Sequence, residues 1–108
     1  MLRPWLKVVL FSTALPCAAS AQDGGDPREG QLLAREICAQ CHAVGRGETR
    51  SPAADAPSFE RIANVPGMTG LALTVALQTS HKTMPNLMFE PAELRNVVAD
   101  ILSLKAGR

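Results

Sequence analysis

The sequence predicts an all-α protein of three to four short helices joined by long loops. Three observations predict it. Apolar residues recur at helical spacing, most clearly at Leu94, Val97, Val98, Ile101 and Leu102. No stretch alternates apolar and polar residues as a half-buried strand does. Proline and glycine, eight of each in 108 residues, keep every helical run short.

The opening stretch, MLRPWLKVVLFSTALPCAASAQ, reads as a leader and not as part of the fold. Arg3 and Lys7 give the positive start, Val8 to Leu15 is a short apolar run, and Ala19-Ser20-Ala21 fits the small-x-small cleavage rule. The run is too short to span a bilayer, which takes about 20 apolar residues. It shows no polar face at helical period, so it does not read as a first helix of the domain. Lipid attachment at Cys17 is disfavoured by Pro16, where a small residue is wanted. The expected organisation is a secretory signal over residues 1–21 and one domain over residues 22–108. The protein is then periplasmic or secreted, with no stable membrane anchor.

Removing the leader changes the composition. Cys17 leaves, so Cys38 and Cys41 remain. Trp5 and Phe11 leave too, and Phe59 and Phe89 are the remaining aromatics. The full chain carries a formal net charge of +1, and loss of Arg3 and Lys7 leaves it close to neutral. That excludes the strongly basic face expected of a nucleic-acid binder and argues against strong electrostatic steering to any partner. A domain this small with two aromatics has little from which to build a core, and such domains lean on a metal, a disulfide or a partner. A core component is missing from the composition.

In the stretch DPREGQLLAREICAQC, Asp26 can cap a helix, Pro27 suits its first position, and Glu29 stands three past the cap. Leu33, Ile37 and Cys41 recur at four-residue steps, with Leu32 widening the stripe. Residues 43–57 hold two glycines, two prolines and small polar residues, and read as a long loop. A loop of that length in a small domain is functional or wrapped around something. Ser58 can cap a short helix, SFERIANV, with Phe59 and Ile62 inward, and Pro66-Gly67 ends it. MTGLALTVALQTS predicts another helix with Leu73, Ala76 and Leu77 on one side. HKTMPNLMFEP is irregular, because Pro85 breaks a helix. EPAELRNVVADILSLK closes the chain as its clearest helix, with Pro91 in the first turn.

Glu36 to Gly45, EICAQCHAVG, sets two cysteines three apart with a histidine directly after the second. Zinc, a thiol–disulfide pair and a covalent haem compete for this pattern. A structural zinc site needs four ligands, and the adjacency of Cys41 and His42 makes it awkward for both to reach one ion. A thioredoxin-like pair belongs in a βαβ setting, and no strand is visible. Haem fits each feature. Two cysteines on a helical turn project to one side, where each thiol can add to one haem vinyl group. The next residue, His42, reaches the iron from the same face, and this is the spacing of c-type haem attachment. The leader sends the chain to the compartment where such attachment occurs, and a haem supplies the missing core.

On these residues the chain resembles the small class I cytochromes c, over about Asp26 to Lys105. CAQCHAVG looks like the family's haem-binding segment. GQLLAREIC places Gly30 eight residues before Cys38, where the family often has a small residue. APSF resembles the segment whose proline carbonyl accepts from the ligating histidine. MPNLMFEPAELRNVVADILSL resembles the distal methionine loop and last helix. The likeness is greatest to the single-domain bacterial forms.

The resemblance implies a cytochrome c fold wrapped around one covalently bound haem c. It implies thioethers at Cys38 and Cys41, His42 as proximal iron ligand, Pro57 as acceptor for its other ring nitrogen, and Met84 as distal iron ligand. Leu33, Ile37, Phe59, Ile62, Leu73, Leu77, Val98, Ile101 and Leu102 would wall the haem and the helix crossing. One departure stands out: the family often has an aromatic where this chain has Asp100. The implied function is one-electron transfer between redox partner proteins, without enzymatic activity. The alternative is a haem-based sensor or peroxidase-like enzyme on the same fold with a labile distal ligand. Met68 reads as a core or loop residue, Met88 as packing near the pocket, and His81, Lys82, Arg46 and Arg50 as solvated surface.

The leader reading has a direct check. The intact mass of the exported protein should match Gln22–Arg108 plus one haem. A mass that still includes Trp5, or an acylated amino terminus at Cys17, would overturn it.

Overall fold

The computed structural model describes residues 4, 9–14, 24–79 and 83–107. The expected cleavage site at Ala21, Cys17, His81 and Lys82 lie outside the described residues. Among the described residues four α-helices follow one another: α1 (Pro27–Ile37), α2 (Phe59–Ala63), α3 (Gly70–Gln78) and α4 (Pro91–Ser103), with a short 3-10 turn, Cys38–Gln40, on the end of α1. Among the described residues there is no strand, and the all-α class expected from the sequence is the one found.

The helices begin where side chains satisfy their first free N–H groups. Asp26 accepts from the Arg28 N–H at 2.9 Å. Ser58 accepts from the Arg61 N–H at 3.1 Å, and Thr69 from the Ala72 N–H at 3.1 Å. At α4 the Glu93 carboxylate accepts from the Glu90 N–H at 2.9 Å. Two starts differ from expectation. The sequence suggested Glu29 as the reciprocal partner of Asp26, but the Asp26 N–H donates instead to Asn96 Oδ1 of α4, at 2.8 Å. The third helix begins at Gly70, after Thr69, and not at Met68, because the threonine hydroxyl offers the cap. Gly67, at φ +77°, makes the preceding turn in a backbone region that favours glycine.

Helices α1 and α4 cross closely and form the frame of the molecule. Gly30 makes this possible, since a Cβ there would overlap the Asn96 carbonyl oxygen and stand 2.9 Å from the Asp100 Cβ. The buried stripe of α1 is therefore Gly30, Ala34 and, one step on, Cys38. The apolar stripe expected at Leu33, Ile37 and Cys41 does not make this helix contact: Leu33 is half-buried, and Ile37 and Cys41 are exposed. Close approach of two backbones selects the smallest side chains for the contact and turns the larger ones aside.

From α4, Leu94, Val97, Val98, Ile101 and Leu102 are buried as their spacing predicts. Val44, Phe59, Ala63, Leu73 and Leu104 complete the core. The end of α4 is fastened by polar side chains from elsewhere. Arg46 Nη2 donates to the Ser103 carbonyl at 2.6 Å, and Asn64 Nδ2 to the Leu104 carbonyl at 3.2 Å. The Ala106 N–H returns to Asn64 Oδ1 at 2.7 Å. These bonds satisfy carbonyls that a helix end leaves free. Arg46, expected as a solvated side chain, thus caps the last helix.

Asp100 is the anomaly of the crossing. It is 4% exposed, and its Oδ2 has no hydrogen-bond partner among the described residues. Burial pushes its carboxyl up from 3.8 to about 6, against the opposing pull of Arg35. The folded state therefore holds this proton more tightly than the unfolded chain. Stability falls as pH rises from 3.8 toward about 6 and stays lower above that. Asp100→Asn should remove this slope and stabilise the holoprotein at neutral pH by about 2 kcal/mol. Denaturant unfolding at acidic and neutral pH checks it; an equal effect at both pH values would sink it.

Candidate functional site

The cysteine pair sits where α1 tightens. Beyond Ile37 the chain closes a single turn, with the Cys41 and His42 N–H groups both donating to the Cys38 carbonyl at 3.1 and 2.9 Å. Cys38, Cys41 and His42 are therefore carried on one turn. Cys38 is buried, Cys41 is exposed, and both thiols are free. Burial, with Asp100 adding to it, pushes the Cys38 thiol from 9.0 up to about 11. Thiol–disulfide catalysts work through a thiolate whose pKa is lowered, commonly at a helix N-terminus. Here the thiol is buried at the C-terminal end of a helix, where the dipole opposes a negative charge. The setting is wrong for disulfide exchange.

The imidazole of His42 is oriented by one short bond. Nδ1 stands 2.6 Å from the Pro57 carbonyl oxygen. A carbonyl only accepts, so Nδ1 must be the donor, and Nε2 then carries the lone pair. That is the tautomer a metal-ligating histidine needs. The Phe59 ring lies beside it, centroids 5.6 Å apart and tilted by 50°.

Local hydrogen bonds hold both partners of this contact. On one side of His42, the Cys41 carbonyl accepts from the Ala53 N–H at 3.0 Å. On the other, the Ala43 N–H donates to Ser51 Oγ at 2.9 Å, and the Ala43 carbonyl accepts from the Phe59 N–H at 2.8 Å. The loop of residues 43–57 is thus folded back on the motif, and α2 starts directly after the acceptor, capped by Ser58. Sequence reading identified Pro57 but missed Ser51. A serine before a proline signals a turn and gives no hint of a partner eight residues away.

The three methionines of the domain separate by burial. Met84 is half-buried in the loop before α4. Met68 is half-buried against the core, and its carbonyl accepts from Lys105 Nζ at 2.9 Å. Met88, expected to pack near the pocket, is 95% exposed. It follows Leu87 in a stretch without helix, where neighbouring side chains alternate, and Leu87 and Phe89 are the half-buried ones. His81, the other candidate near Met84, lies outside the described residues. Arg50 is exposed, as expected.

The residues present fit a covalently attached haem. Two free thiols and a histidine with its Nε2 lone pair available share one turn. Leu33, Met68, Leu77 and Phe89 stay only partly buried against the core, and Ile37 is open beside Cys41. Among the described residues the buried core is built of aliphatic side chains, Cys38 and one aromatic, Phe59. A flat apolar group supplies what this interior lacks.

No protein-family model and no solved structure matches the chain. Cytochrome c-552 of Bradyrhizobium diazoefficiens is 30% identical to it over 100 residues, which are 93% of this chain and 95% of that protein. The chain belongs to the small c-type cytochromes, and its helical architecture is their all-α fold.

Attachment through Cys38 and Cys41 should let haem remain on the polypeptide through denaturing electrophoresis and acid–acetone extraction. Cys38→Ser combined with Cys41→Ser should leave no covalent haem in an exporting host. Haem staining of the denatured double variant checks this, and a persistent stain would refute the assignment of these thiols.

Proposed function

We propose that the chain is an exported one-electron carrier holding one haem c between His42 and Met84, with thioethers at Cys38 and Cys41. The observation that carries this reading is the 2.6 Å contact between His42 Nδ1 and the Pro57 carbonyl. It leaves the Nε2 lone pair free to ligate iron. The haem, when bound, supplies a reversible one-electron couple.

The chain's own residues would do the rest. The Pro57 carbonyl holds the imidazole plane and strengthens its donor character. The loop folded back through Ser51, Ala53 and Phe59 keeps that acceptor in place, so little would move when an electron arrives or leaves. Met84 would complete the iron's coordination with a soft thioether, which favours the reduced ion and raises the potential. With His42 and Met84 both on the iron, no position would be left for a substrate, and the reading is of a carrier and not an enzyme. The near-neutral charge argues for contact-driven docking with donor and acceptor proteins.

The leader supports export to the periplasm or beyond. Among the described residues no helix is long and apolar enough to cross a membrane.

The distal ligand is the point to test. The oxidised holoprotein should show the sulfur-to-iron charge-transfer band at the red edge of the visible spectrum. Met84→Ala should abolish it, lower the reduction potential and open the reduced iron to carbon monoxide. Met88→Ala should keep the band. A band lost in Met88→Ala and kept in Met84→Ala would reassign the ligand. Carbon monoxide binding by the unaltered protein would replace the carrier with a sensor or peroxidase-like enzyme.

A further inference from the structure

A hydrogen bond joins the loop that carries Met84 to the loop that holds His42. Thr83 Oγ1 donates to Asp55 Oδ2 at 2.9 Å, across 28 residues of sequence. Thr83 directly precedes Met84. Asp55 stands two residues before Pro57, whose carbonyl holds His42. The aspartate is itself positioned by a turn, in which the Ala56 N–H donates to the Ala53 carbonyl at 3.1 Å. That turn is anchored in its own right, because the Ala53 N–H donates to the Cys41 carbonyl. The bond therefore runs from the methionine loop to a part of the chain already fastened to the cysteine turn.

Pro85 has no N–H to give, and Met88 projects into solvent. At its far end the loop is fixed by the bond between the Glu93 carboxylate and the Glu90 N–H. At its near end the Thr83–Asp55 bond plays the corresponding part. A bond to a carboxylate is stronger than one between neutral groups. It also fixes the residue next to the sulfur and not merely the loop as a whole.

We propose that Thr83 and Asp55 are positioning residues, a clasp that holds the Met84 loop closed and so keeps its sulfur on the iron. The proposal rests on Met84 as the distal ligand. The clasp acts on the opening of the loop, and so on how readily the iron exchanges methionine for an outside ligand. It does not act on the global fold, because both side chains are exposed and neither belongs to the core.

The test uses the oxidised holoprotein and imidazole as the incoming ligand, followed through loss of the sulfur-to-iron band. Thr83→Val and Asp55→Ala should each speed imidazole binding roughly fivefold, because solvent exposure brings this bond down to the net effect of an ordinary hydrogen bond. Thr83→Ser restores the hydroxyl and should return the rate to that of the unaltered protein. The double variant should be no faster than either single one. Denaturant unfolding midpoints of the same proteins separate the clasp from general support. Unchanged rates in both single variants, with the band present in the unaltered protein, would overturn the clasp alone. So would rates that rise only in proportion to a loss of global stability. If the unaltered protein shows no band, the Met84 reading falls, and the clasp falls with it.

Discussion

Gly30 lies against the Asn96 carbonyl, and the position of the cysteine turn is inherited from that contact. Helix α1 can approach α4 this closely because nothing projects from Gly30 and little from Ala34. The approach fixes the far end of α1, where the turn carrying Cys38, Cys41 and His42 begins. It also determines which side chains remain available. The small residues are consumed by the helix contact, and Leu33 and Ile37 are left facing away from it. A larger residue at position 30 would have no flexible neighbour to push aside, since the obstacle is backbone. The chemistry of the motif thus depends on a residue that carries no chemistry.

The second constraint is the acceptor on His42, and its reach is electronic as well as steric. One carbonyl decides which ring nitrogen keeps its proton, and hence which can bind iron. The acceptor comes from a loop whose own shape depends on Ser51, Ala53 and the start of α2. These are backbone and hydroxyl bonds, insensitive to the oxidation state of anything nearby. A histidine held this way is suited to a site whose geometry stays the same while its charge changes.

Much of this was legible in the sequence, and what was not has identifiable causes. Helix α4 could be read because its signal is local and strong: Leu94 through Leu102 repeat at helical period. Ser58 and Pro91 mark helix starts by their own chemistry. The cysteine turn could be read because spacing along the chain sets it. The buried stripe of α1 could not. Apolar periodicity counts leucine as inward, whereas a close helix crossing selects glycine and alanine. Met88 was drawn inward by its apolarity, and Leu87 and Phe89 on either side occupy the inward positions instead. Arg46 on the Ser103 carbonyl and Ser51 on Ala43 are pairings that no local pattern announces. Asp100 was visible as a departure from the resembling family, but its missing hydrogen-bond partner could be seen only in three dimensions.

The loop that supplies the histidine's acceptor is pinned near its base and open at its crown. Ala43 is tied to Ser51 and Phe59, and Gly47 donates to Glu60 at 2.8 Å. Between these ties Glu48, Thr49 and Arg50 lie at the surface. Lengthening a flexible segment is cheap, about 0.6 kcal/mol for each doubling. Chain length at Thr49 is therefore decoupled from the geometry of His42. The crown is the place where this molecule can grow, by insertion or by carrying a recognition segment, while the Pro57 carbonyl stays where the imidazole needs it.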